Sequence, residues 1–308
     1  MSRPKVLITG GAGFIGSHIA DLASRHADVR ILDNFRSGFR ANLHGIPHEL
    51  IEGSIEDNAI LSEAMSGIDY VFHLAAMISV PESMLNPGEC VTVNTLGTLN
   101  VLEAAAQAGV KKLVLSSTAA IYGDDPALPK RETLPPCPKS PYAVTKLDGE
   151  YYCAMYTALG RLDTACLRYF NVFGPRQNPK SAYAAAVPIF LSRALAGNEI
   201  TIYGDGGQTR DFVHVSDIAG ANWHAATTPG MAGVYNVACG KSLSIRELAE
   251  QIVKTTGSTS KIDFQPERLG DIRHSIADVT RLTEAGYVCN SDFDMLLAST
   301  AESYQRSN

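Results

Sequence analysis

The 308-residue sequence predicts an α/β fold built on a doubly wound parallel sheet, followed by a smaller mixed α/β region toward the carboxyl terminus. Two observations carry this prediction. Short apolar and β-branched runs alternate with longer helical stretches through the first half, as expected when helices cover both faces of a parallel sheet. A glycine-rich loop also stands between the first predicted strand and the first predicted helix.

The first half of the chain supplies the predicted sheet and its covering helices. Strands are predicted at Lys5–Thr9, Val29–Asp33, Tyr70–Leu74, Lys112–Ser116 and Thr164–Tyr169. Helices are predicted at Gly16–Arg25, Asn58–Ser66, Asn94–Ala108 and Ser140–Leu159. These elements make up a predicted first domain over residues 1–171.

The character of the sequence changes after residue 171. A loop rich in Pro, Gly, Asn and basic residues runs from Asn171 to Ser181. Predicted elements then follow at Ala185–Ala196, Glu199–Tyr203, Phe212–Val215, Val234–Val237, Ile245–Thr256 and Lys261–Phe264, with a glycine-rich turn at Gly204–Gly207. We assign residues 172–308 to a second domain that binds substrate, with a soft boundary because segments can cross back to the first domain.

Composition and charge exclude several classes of protein. The formal net charge of −6 argues against nucleic acid as a partner. No apolar run approaches the roughly 20 residues of a membrane helix, and the amino terminus lacks a signal-peptide pattern. The six cysteines are scattered without metal-ligand spacing, so we expect reduced thiols, no metal and a cytoplasmic location.

The glycine loop predicts a dinucleotide site. Gly11, Gly13 and Gly16 satisfy G-x-G-x-x-G, and Gly10 extends the pattern. Such glycines let backbone N–H groups approach a pyrophosphate at the start of the first helix, as in Rossmann domains. Asp33 ends the second strand, where an acid binds an adenosine ribose and would repel a 2′-phosphate, so NAD is favoured over NADP. Arg36 keeps NADP open, since a nearby arginine can accommodate that phosphate.

Two further motifs suggest acid–base chemistry on a substrate oxygen. Tyr142 and Lys146 share one helical face, and a neighbouring ammonium together with an oxidised nicotinamide would favour the phenolate of Tyr142. Lys146 would also hold the nicotinamide ribose. Ser116-Ser117-Thr118 leaves the fourth strand at the edge where such sheets bind ligands. Taken singly, these motifs also fit a surface helix with a chance Tyr and Lys, and an ordinary serine-rich loop.

The same motifs occur together in one known family, along with Asp33-Asn34, His73-Leu74-Ala75-Ala76, Asn94, Leu167-Arg168-Tyr169-Phe170-Asn171 and Arg210-Asp211-Phe212. Over nearly its whole length the chain resembles the extended short-chain dehydrogenases/reductases, and among them the UDP-hexose 4-epimerases. The resemblance implies that Tyr142 takes a proton from the sugar C4 hydroxyl while hydride passes to NAD, with Thr118 assisting by a hydrogen bond. The 4-keto sugar then turns, hydride returns to its other face, and NAD can stay bound.

The resemblance also implies two sets of binding residues. Those for NAD are Gly10, Gly13, Phe14, Ile15, Gly16, Asp33, Asn34, Ser37, Gly38, Ser54, Ile55, Leu74, Ala75, Ala76, Asn94, Ser116, Ser117, Tyr142, Lys146 and Tyr169. Those for the UDP-sugar are Ser79, Thr118, Tyr142, Phe170, Asn171, Val187, Tyr203, Arg210, Arg268, Asp271 and Ser275. Within the second set, Asn171, Arg210 and Arg268 would hold the diphosphate.

Departures from the family pattern bear on affinity and on rival functions. Relatives usually carry Asp where Ser54 stands, so the contact to the adenine amine would be weaker here. Dehydratases and decarboxylases acting on the same 4-keto intermediate need acids just after Thr118, and this chain has Ala119 and Ala120. A non-catalytic sensor of NAD or nucleotide sugar is a different class, and such proteins usually lose the Tyr or the Lys.

The sugar preference depends on a few positions near the carboxyl terminus. Epimerases restricted to UDP-glucose and UDP-galactose typically carry Tyr where Ser275 stands, so a small residue there leaves space for a 2-acetamido group. We therefore predict that UDP-GlcNAc and UDP-GalNAc are accepted, with UDP-Glc and UDP-Gal alongside; Ser275 can also be a plain loop serine in a pocket filled by another side chain. UDP-glucuronate is a remoter alternative, whose carboxylate would meet Arg176, Lys180 or Arg273.

The resemblance further implies a homodimer that packs two helices per subunit into a four-helix bundle. The matching segments are Asn94–Ala108 and Tyr142–Leu159. Ala104, Ala105, Ala106 and Ala108 offer small side chains that permit close helix approach, although they can equally face the sheet.

Overall fold

The computed structural model describes residues 3–179, 185–267 and 273–307. Its strands are β1 (Lys5–Thr9), β2 (Asp28–Asp33), β3 (Glu49–Glu52), β4 (Tyr70–His73), β5 (Lys112–Thr118), β6 (Asp163–Tyr169), β7 (Asn171–Phe173), β8 (Ile200–Tyr203), β9 (Thr209–Arg210), β10 (Phe212–His214), β11 (Gly233–Val237), β12 (Leu243–Ser244) and β13 (Ile262–Gln265). Its helices are α1 (Phe14–Ser24), α2 (Asn58–Met65), α3 (Val80–Leu85), α4 (Pro87–Cys90), α5 (Gly97–Gln107), α6 (Pro141–Ala158), α7 (Ala186–Leu195), α8 (Val215–Thr227), α9 (Ile245–Thr256), α10 (Thr280–Glu284) and α11 (Phe293–Ser307). Short 3₁₀ turns cover Arg40–Leu43 and Ala119–Tyr122, and a π-helical segment covers Val91–Leu96.

The predicted parallel sheet is confirmed. Within the described ranges it has seven strands in the order β11-β6-β5-β4-β1-β2-β3, and every neighbouring pair is parallel. The strand order reverses beside β1, because β2 and β4 lie on its two sides. Open α/β sheets bind ligands outside the carboxyl ends of their strands at such a reversal. The glycine loop that follows β1 lies at this point.

The sheet is buried on both faces, and alternate residues of its strands face different helices. Val6 and Ile8 of β1 pack with residues of α1 and α8 on one side. Leu7, between them, packs with residues of α2 and α5 on the other. A third apolar cluster, formed mainly by α7, α9, α11 and β8, is the core of the carboxyl-terminal part of the chain.

Two segments that follow residue 171 belong to the layers of the central sheet. Strand β11 pairs with β6 along Gly233–Val237, and helix α8 packs against α1. Neither the strand β3 nor the helix α8 was predicted, and β7 lies within the segment expected to be a loop. The division into domains at residue 171 stays a prediction, since the chain beyond it contributes to both parts.

Candidate active site

A cavity of about 750 Å³ opens at the carboxyl ends of the central strands. Of the residues predicted to bind NAD, the cavity is lined by Gly10, Gly13, Phe14, Ile15, Gly16, Asp33, Asn34, Ser37, Gly38, Ser54, Ile55, Leu74, Ala75, Ala76, Ser116, Ser117, Tyr142, Lys146 and Tyr169. Of those predicted to bind the UDP-sugar, it is lined by Thr118, Tyr142, Phe170, Asn171, Val187, Tyr203 and Arg210. One cavity therefore joins both predicted sites.

The glycine loop has the shape that a pyrophosphate requires. Gly10 has a φ of 71°, and a Cβ added to it would lie 2.7 Å from the backbone nitrogen of Ala75. A Cβ on Gly16 would lie 2.2 Å from the carbonyl oxygen of Gly10. Gly13 precedes the first residue of α1 and has no side chain that could cap the helix. The amino end of α1 thus faces the cavity with room for an anion, so the loop fits the diphosphate of NAD.

Asp33 combines a structural contact with free acceptor capacity. The residue is 7% exposed, and its carboxylate accepts hydrogen bonds from the backbone N–H groups of Ala12 and Phe35, each at 2.8 Å. Each carboxylate oxygen has a second lone pair, so ribose hydroxyls can still be bound. Ser54, at the same end of the cavity, donates its hydroxyl to Glu56 at 2.9 Å. A carboxylate therefore lies beside the serine that replaces the family's usual acid.

Tyr142, Lys146 and Thr118 converge at the middle of the cavity. Tyr142 and Lys146 lie one turn apart on α6, and Ser140 caps that helix by accepting from the backbone N–H of Ala143. Lys146 donates from Nζ to the carbonyl oxygen of Ser116 at 2.9 Å. The side chain of Thr118 lies close enough to the Tyr142 hydroxyl to lower its pKa. The predicted convergence of the three side chains is present.

Burial is the largest influence on the pKa values of Tyr142 and Lys146. Burial raises the pKa of Tyr142 to about 12, against a smaller lowering by the Thr118 hydrogen bond. Burial lowers the pKa of Lys146 to about 8. The protein groups by themselves therefore hold the phenol protonated at neutral pH, and the expected lowering of its pKa needs a further positive charge.

A buried polar network fixes α6 against the ends of β5 and β6. Ser117 donates to the carboxylate of Glu150 at 2.5 Å, and Arg168 donates to both oxygens of that carboxylate at 2.8 and 2.6 Å. The guanidinium of Arg168 also lies 4.8 Å from the ring centroid of Tyr122. Because Glu150 is one turn beyond Lys146, these contacts hold the helix that carries the reactive pair.

Two predicted residues lie beside the cavity and do not line it. Asn94 is 2% exposed, and its amide is used within the protein: it accepts from the backbone N–H of Met77 at 2.7 Å and donates to Thr145 at 3.1 Å. Ser79 caps α3 by accepting from the backbone N–H of Glu82 at 3.1 Å. Neither side chain lines the described cavity, and their contact with a ligand stays a prediction.

Some of the positions predicted to set sugar preference lie outside the described residues, and Ser275 lies beside the cavity. Arg268, Asp271 and Lys180 lie outside the described residues. Ser275 does not line the described cavity; its backbone N–H donates to the carbonyl oxygen of Thr209 at 3.1 Å, beside the lining residue Arg210.

The remaining arginines considered for a uronate carboxylate give that alternative no support. Arg273 pairs with Asp205 through contacts of 2.7 and 2.8 Å. Arg176 does not line the described cavity. Neither side chain is placed in this geometry to receive a sugar carboxylate.

The structure adds lining residues that sequence reasoning missed. Ile189, Phe190 and Arg193 follow the predicted Val187 along the cavity face of α7. Their spacing along one helical face is a signal that was present in the sequence. Gln208, also on the wall, donates to the carbonyl oxygen of Tyr203 at 2.9 Å, a contact that only the fold reveals.

Among the residues that the structure describes, no cluster of three or more His, Cys, Asp or Glu side chains is arranged to hold a metal ion. Over the same ranges, no helix combines the length and the apolar character needed to cross a membrane.

Comparison with known proteins gives consistent matches. A family model described as the NAD dependent epimerase/dehydratase family matches residues 6–238. A UDP-glucose 4-epimerase of Mycolicibacterium smegmatis is 41% identical over 91% of each chain. A UDP-N-acetyl-α-D-glucosaminuronate decarboxylase of Bacillus cytotoxicus is 37% identical over 92% of this chain and 91% of its own. The solved structure of a UDP-N-acetylglucosamine 4-epimerase from Methanobrevibacter ruminantium, in complex with UDP-N-acetylmuramic acid, superimposes with a TM-score of 0.96 at 39% identity over 100% of both chains.

Proposed function

Because the chain belongs to the NAD dependent epimerase/dehydratase family, we propose that it interconverts UDP-GlcNAc and UDP-GalNAc, and also UDP-Glc and UDP-Gal, by inverting C4 of the sugar. It is an NAD-using UDP-sugar 4-epimerase, an isomerase. One observation carries the proposal: the glycine loop, Thr118, Tyr142 and Lys146 line a single cavity that also reaches Asn171 and Arg210. A dinucleotide and a nucleotide sugar can thereby meet at the tyrosine.

The residues of the chain divide the chemistry between them. Bound NAD supplies the acceptor and donor for the C4 hydride, together with a positive charge beside the phenol. Tyr142 takes the proton of the C4 hydroxyl and later returns it, while Thr118 bonds to the same oxygen and orients it. Lys146, which donates to the carbonyl oxygen of Ser116, would place its ammonium near the phenol and would hold the nicotinamide ribose of bound NAD. Lys146 is buried and Tyr142 half-buried in the cavity wall, so a bound substrate would complete the shielding of the transient 4-keto sugar from water.

The chemistry beyond Thr118 favours epimerisation over loss of water or carbon dioxide. Ala119 and Ala120 occupy the 3₁₀ turn directly after Thr118. Their methyl groups cannot transfer protons to or from C5 or C6. This feature favours epimerisation over the decarboxylation for which the relative from Bacillus cytotoxicus is named. An assay of product mass with each nucleotide sugar tests it, since epimerisation leaves the mass unchanged.

The N-acetyl preference rests on Ser275 and on similarity to the Methanobrevibacter enzyme. Ser275 lies next to the cavity wall through its backbone pairing with Thr209. We expect Ser275→Tyr to abolish turnover of UDP-GlcNAc while keeping UDP-Glc turnover, because the larger ring would extend from beside Arg210 into the space proposed for the acetamido group. Ser275→Ala is the matched control and should turn over both. Wild-type enzyme that leaves UDP-GlcNAc unchanged would refute the preference.

Catalysis can be separated from ligand sensing by one substitution. Tyr142→Phe removes the phenol oxygen and keeps the ring, so epimerisation should fall to the background rate while NAD remains bound, as measured by nucleotide released on denaturation. A sensor would lack turnover in the wild type as well. Undiminished turnover by the variant would refute the role assigned to Tyr142.

We also propose that the chain forms a homodimer through the outward face of α6. Val144, Tyr151, Met155 and Leu159 are 43%, 60%, 44% and 63% exposed, an apolar stripe on the side away from Tyr142 and Lys146. Ala105 is buried toward the sheet, which is the second of the two placements predicted for these alanines. A second copy that presents the same stripe covers both apolar faces.

The apolar stripe can be tested by sizing in solution. Tyr151→Glu combined with Met155→Glu should give a monomer, because burying two carboxylates in an apolar contact is unfavourable. Met295→Glu is the control, because Met295 is 52% exposed on α11 and lies on a different element. A dimer that survives the double substitution would rule out this face.

A further inference from the structure

The loop after strand β2 carries two arginines that are both bound by carboxylates. Arg36 lines the cavity, donating to Glu82 at 2.9 Å and also to Glu89. Arg40, four residues on, pairs with Glu52 and does not line the described cavity. An arginine close to the ribose-binding acid is the group that accommodates a 2′-phosphate in NADP-binding relatives of this fold. The partners of Arg36 therefore bear on which dinucleotide the cavity accepts.

The two carboxylates reach Arg36 from the opposite side of the cleft. Arg36 follows β2, whereas Glu82 on α3 and Glu89 on α4 follow β4. Strands β2 and β4 flank β1 in the sheet. The ion pairs consequently cross the carboxyl end of β1, where the glycine loop would hold the diphosphate.

The charges at this end of the cavity are unfavourable to an added phosphate. Two carboxylates on one guanidinium leave a net charge of −1, and Asp33 adds another negative charge nearby. Hydrogen bonding to Arg36 lowers the pKa of Glu89 below its ordinary value, so Glu89 stays ionised at neutral pH. A 2′-phosphate would bring about −1.5 to −2 more and would have to displace both carboxylates.

We propose that Glu82 and Glu89 are specificity-determining residues for the cofactor. By occupying Arg36 they withhold the guanidinium that would otherwise bind a 2′-phosphate, and together with Asp33 they select NAD over NADP. Exposed ion pairs contribute little to folding stability. These ion pairs instead reduce the number of Arg36 hydrogen-bond donors that the cavity can offer to a phosphate on the adenosine ribose.

Competition between the two nucleotides on the holoenzyme tests the proposal. Wild type and the double variant Glu82→Gln/Glu89→Gln are equilibrated with equal excesses of NAD and NADP, freed of unbound nucleotide, and analysed for bound nucleotide by chromatography. We expect the bound NADP-to-NAD ratio to rise at least about tenfold in the variant, because a released guanidinium forms charge-assisted hydrogen bonds to phosphate. Glu52→Gln releases Arg40 in the same way and should leave the ratio unchanged.

A third substitution shows whether Arg36 is the group released. Adding Arg36→Gln to the double variant should remove most of the gain, since no guanidinium then faces the phosphate. A purely structural role of the two glutamates would weaken both nucleotides alike and leave the ratio within about twofold of wild type, which overturns the proposal. A gain that persists in full without Arg36 also overturns it, because charge removal alone would then suffice.

Discussion

The buried ion pair between Arg168 and Glu150 offers a quantitative test of how the catalytic helix is held. The two side chains are 4% and 3% exposed, and the carboxylate of Glu150 accepts hydrogen bonds from Arg168 and Ser117. Burial by itself would lower the pKa of Arg168, but the Glu150 carboxylate more than offsets it and the net pKa is raised. Glu150→Gln places an amide donor against a guanidinium donor and leaves a buried charge unpaired.

The expected loss follows from that uncompensated charge. Breaking a buried pair by removing one partner costs about 3–5 kcal/mol, a large part of the 5–15 kcal/mol by which a typical domain is stable. Glu103→Gln is the matched control: Glu103 contacts Arg161 through both oxygens at 2.9 Å, but its side chain is 41% exposed. An exposed pair contributes only about 0.2–1 kcal/mol.

The measurement is the free energy of unfolding in urea, followed by the fluorescence of the single tryptophan, Trp223. Every variant is measured at the same NAD concentration, and its separately measured Kd for NAD is used to subtract the stabilisation by ligand. A loss for Glu150→Gln no larger than that for Glu103→Gln would refute the reasoning. Such a result would mean that the buried Arg168–Glu150 pair contributes no more to the free energy of unfolding than the exposed Arg161–Glu103 pair.

Two further outcomes follow from the core and the glycine loop. Burial lowers the pKa of His73 to about 3, so the folded chain keeps the imidazole neutral. The free energy of unfolding should therefore be at its full value above pH 6.5 and should fall by at most about 5 kcal/mol as the pH decreases toward 3. In a plot of the urea midpoint against pH, His73→Asn should reduce the slope between pH 6.5 and 3. Gly16→Ala should release NAD during gel filtration, because its Cβ would lie 2.2 Å from the carbonyl oxygen of Gly10, whereas Gly88→Ala, with open space around it, should retain NAD. A Gly16→Ala protein that keeps NAD as firmly as Gly88→Ala would contradict the close packing of the loop.

Sequence reasoning was most accurate where local signals were strong. Strand β1 and helix α9 begin and end at the predicted residues, because each is an apolar pattern bounded by polar or glycine residues. Strand β3 was missed because Glu49–Glu52 has only two apolar residues between charges, as is usual for an edge strand. Helix α8 was missed because small residues and Gly220 weaken its periodicity.

The reactive centre could be predicted because its residues lie in short motifs. The glycine loop and the Tyr142–Lys146 pair each have a recognisable spacing within one element or one turn, and Asp33 is marked by its place at the end of the strand that follows the loop and its helix. The groups that hold or tune them do not, since Glu150 pairs with Arg168 and Glu82 with Arg36 across long stretches of sequence. Pairing of that kind depends on the packed fold, and no local pattern encodes it.

The late contribution of β11 has a consequence for how the protein is made. When synthesis has reached residue 171, strand β6 has one neighbour, β5, and its other edge waits for residues 233–237. Helix α1 likewise lacks α8, its partner over the same face. The nascent sheet thus presents an unpaired strand edge and an uncovered apolar surface for more than sixty residues of elongation (237 against 171), a period in which chaperones can bind and in which self-association is most damaging.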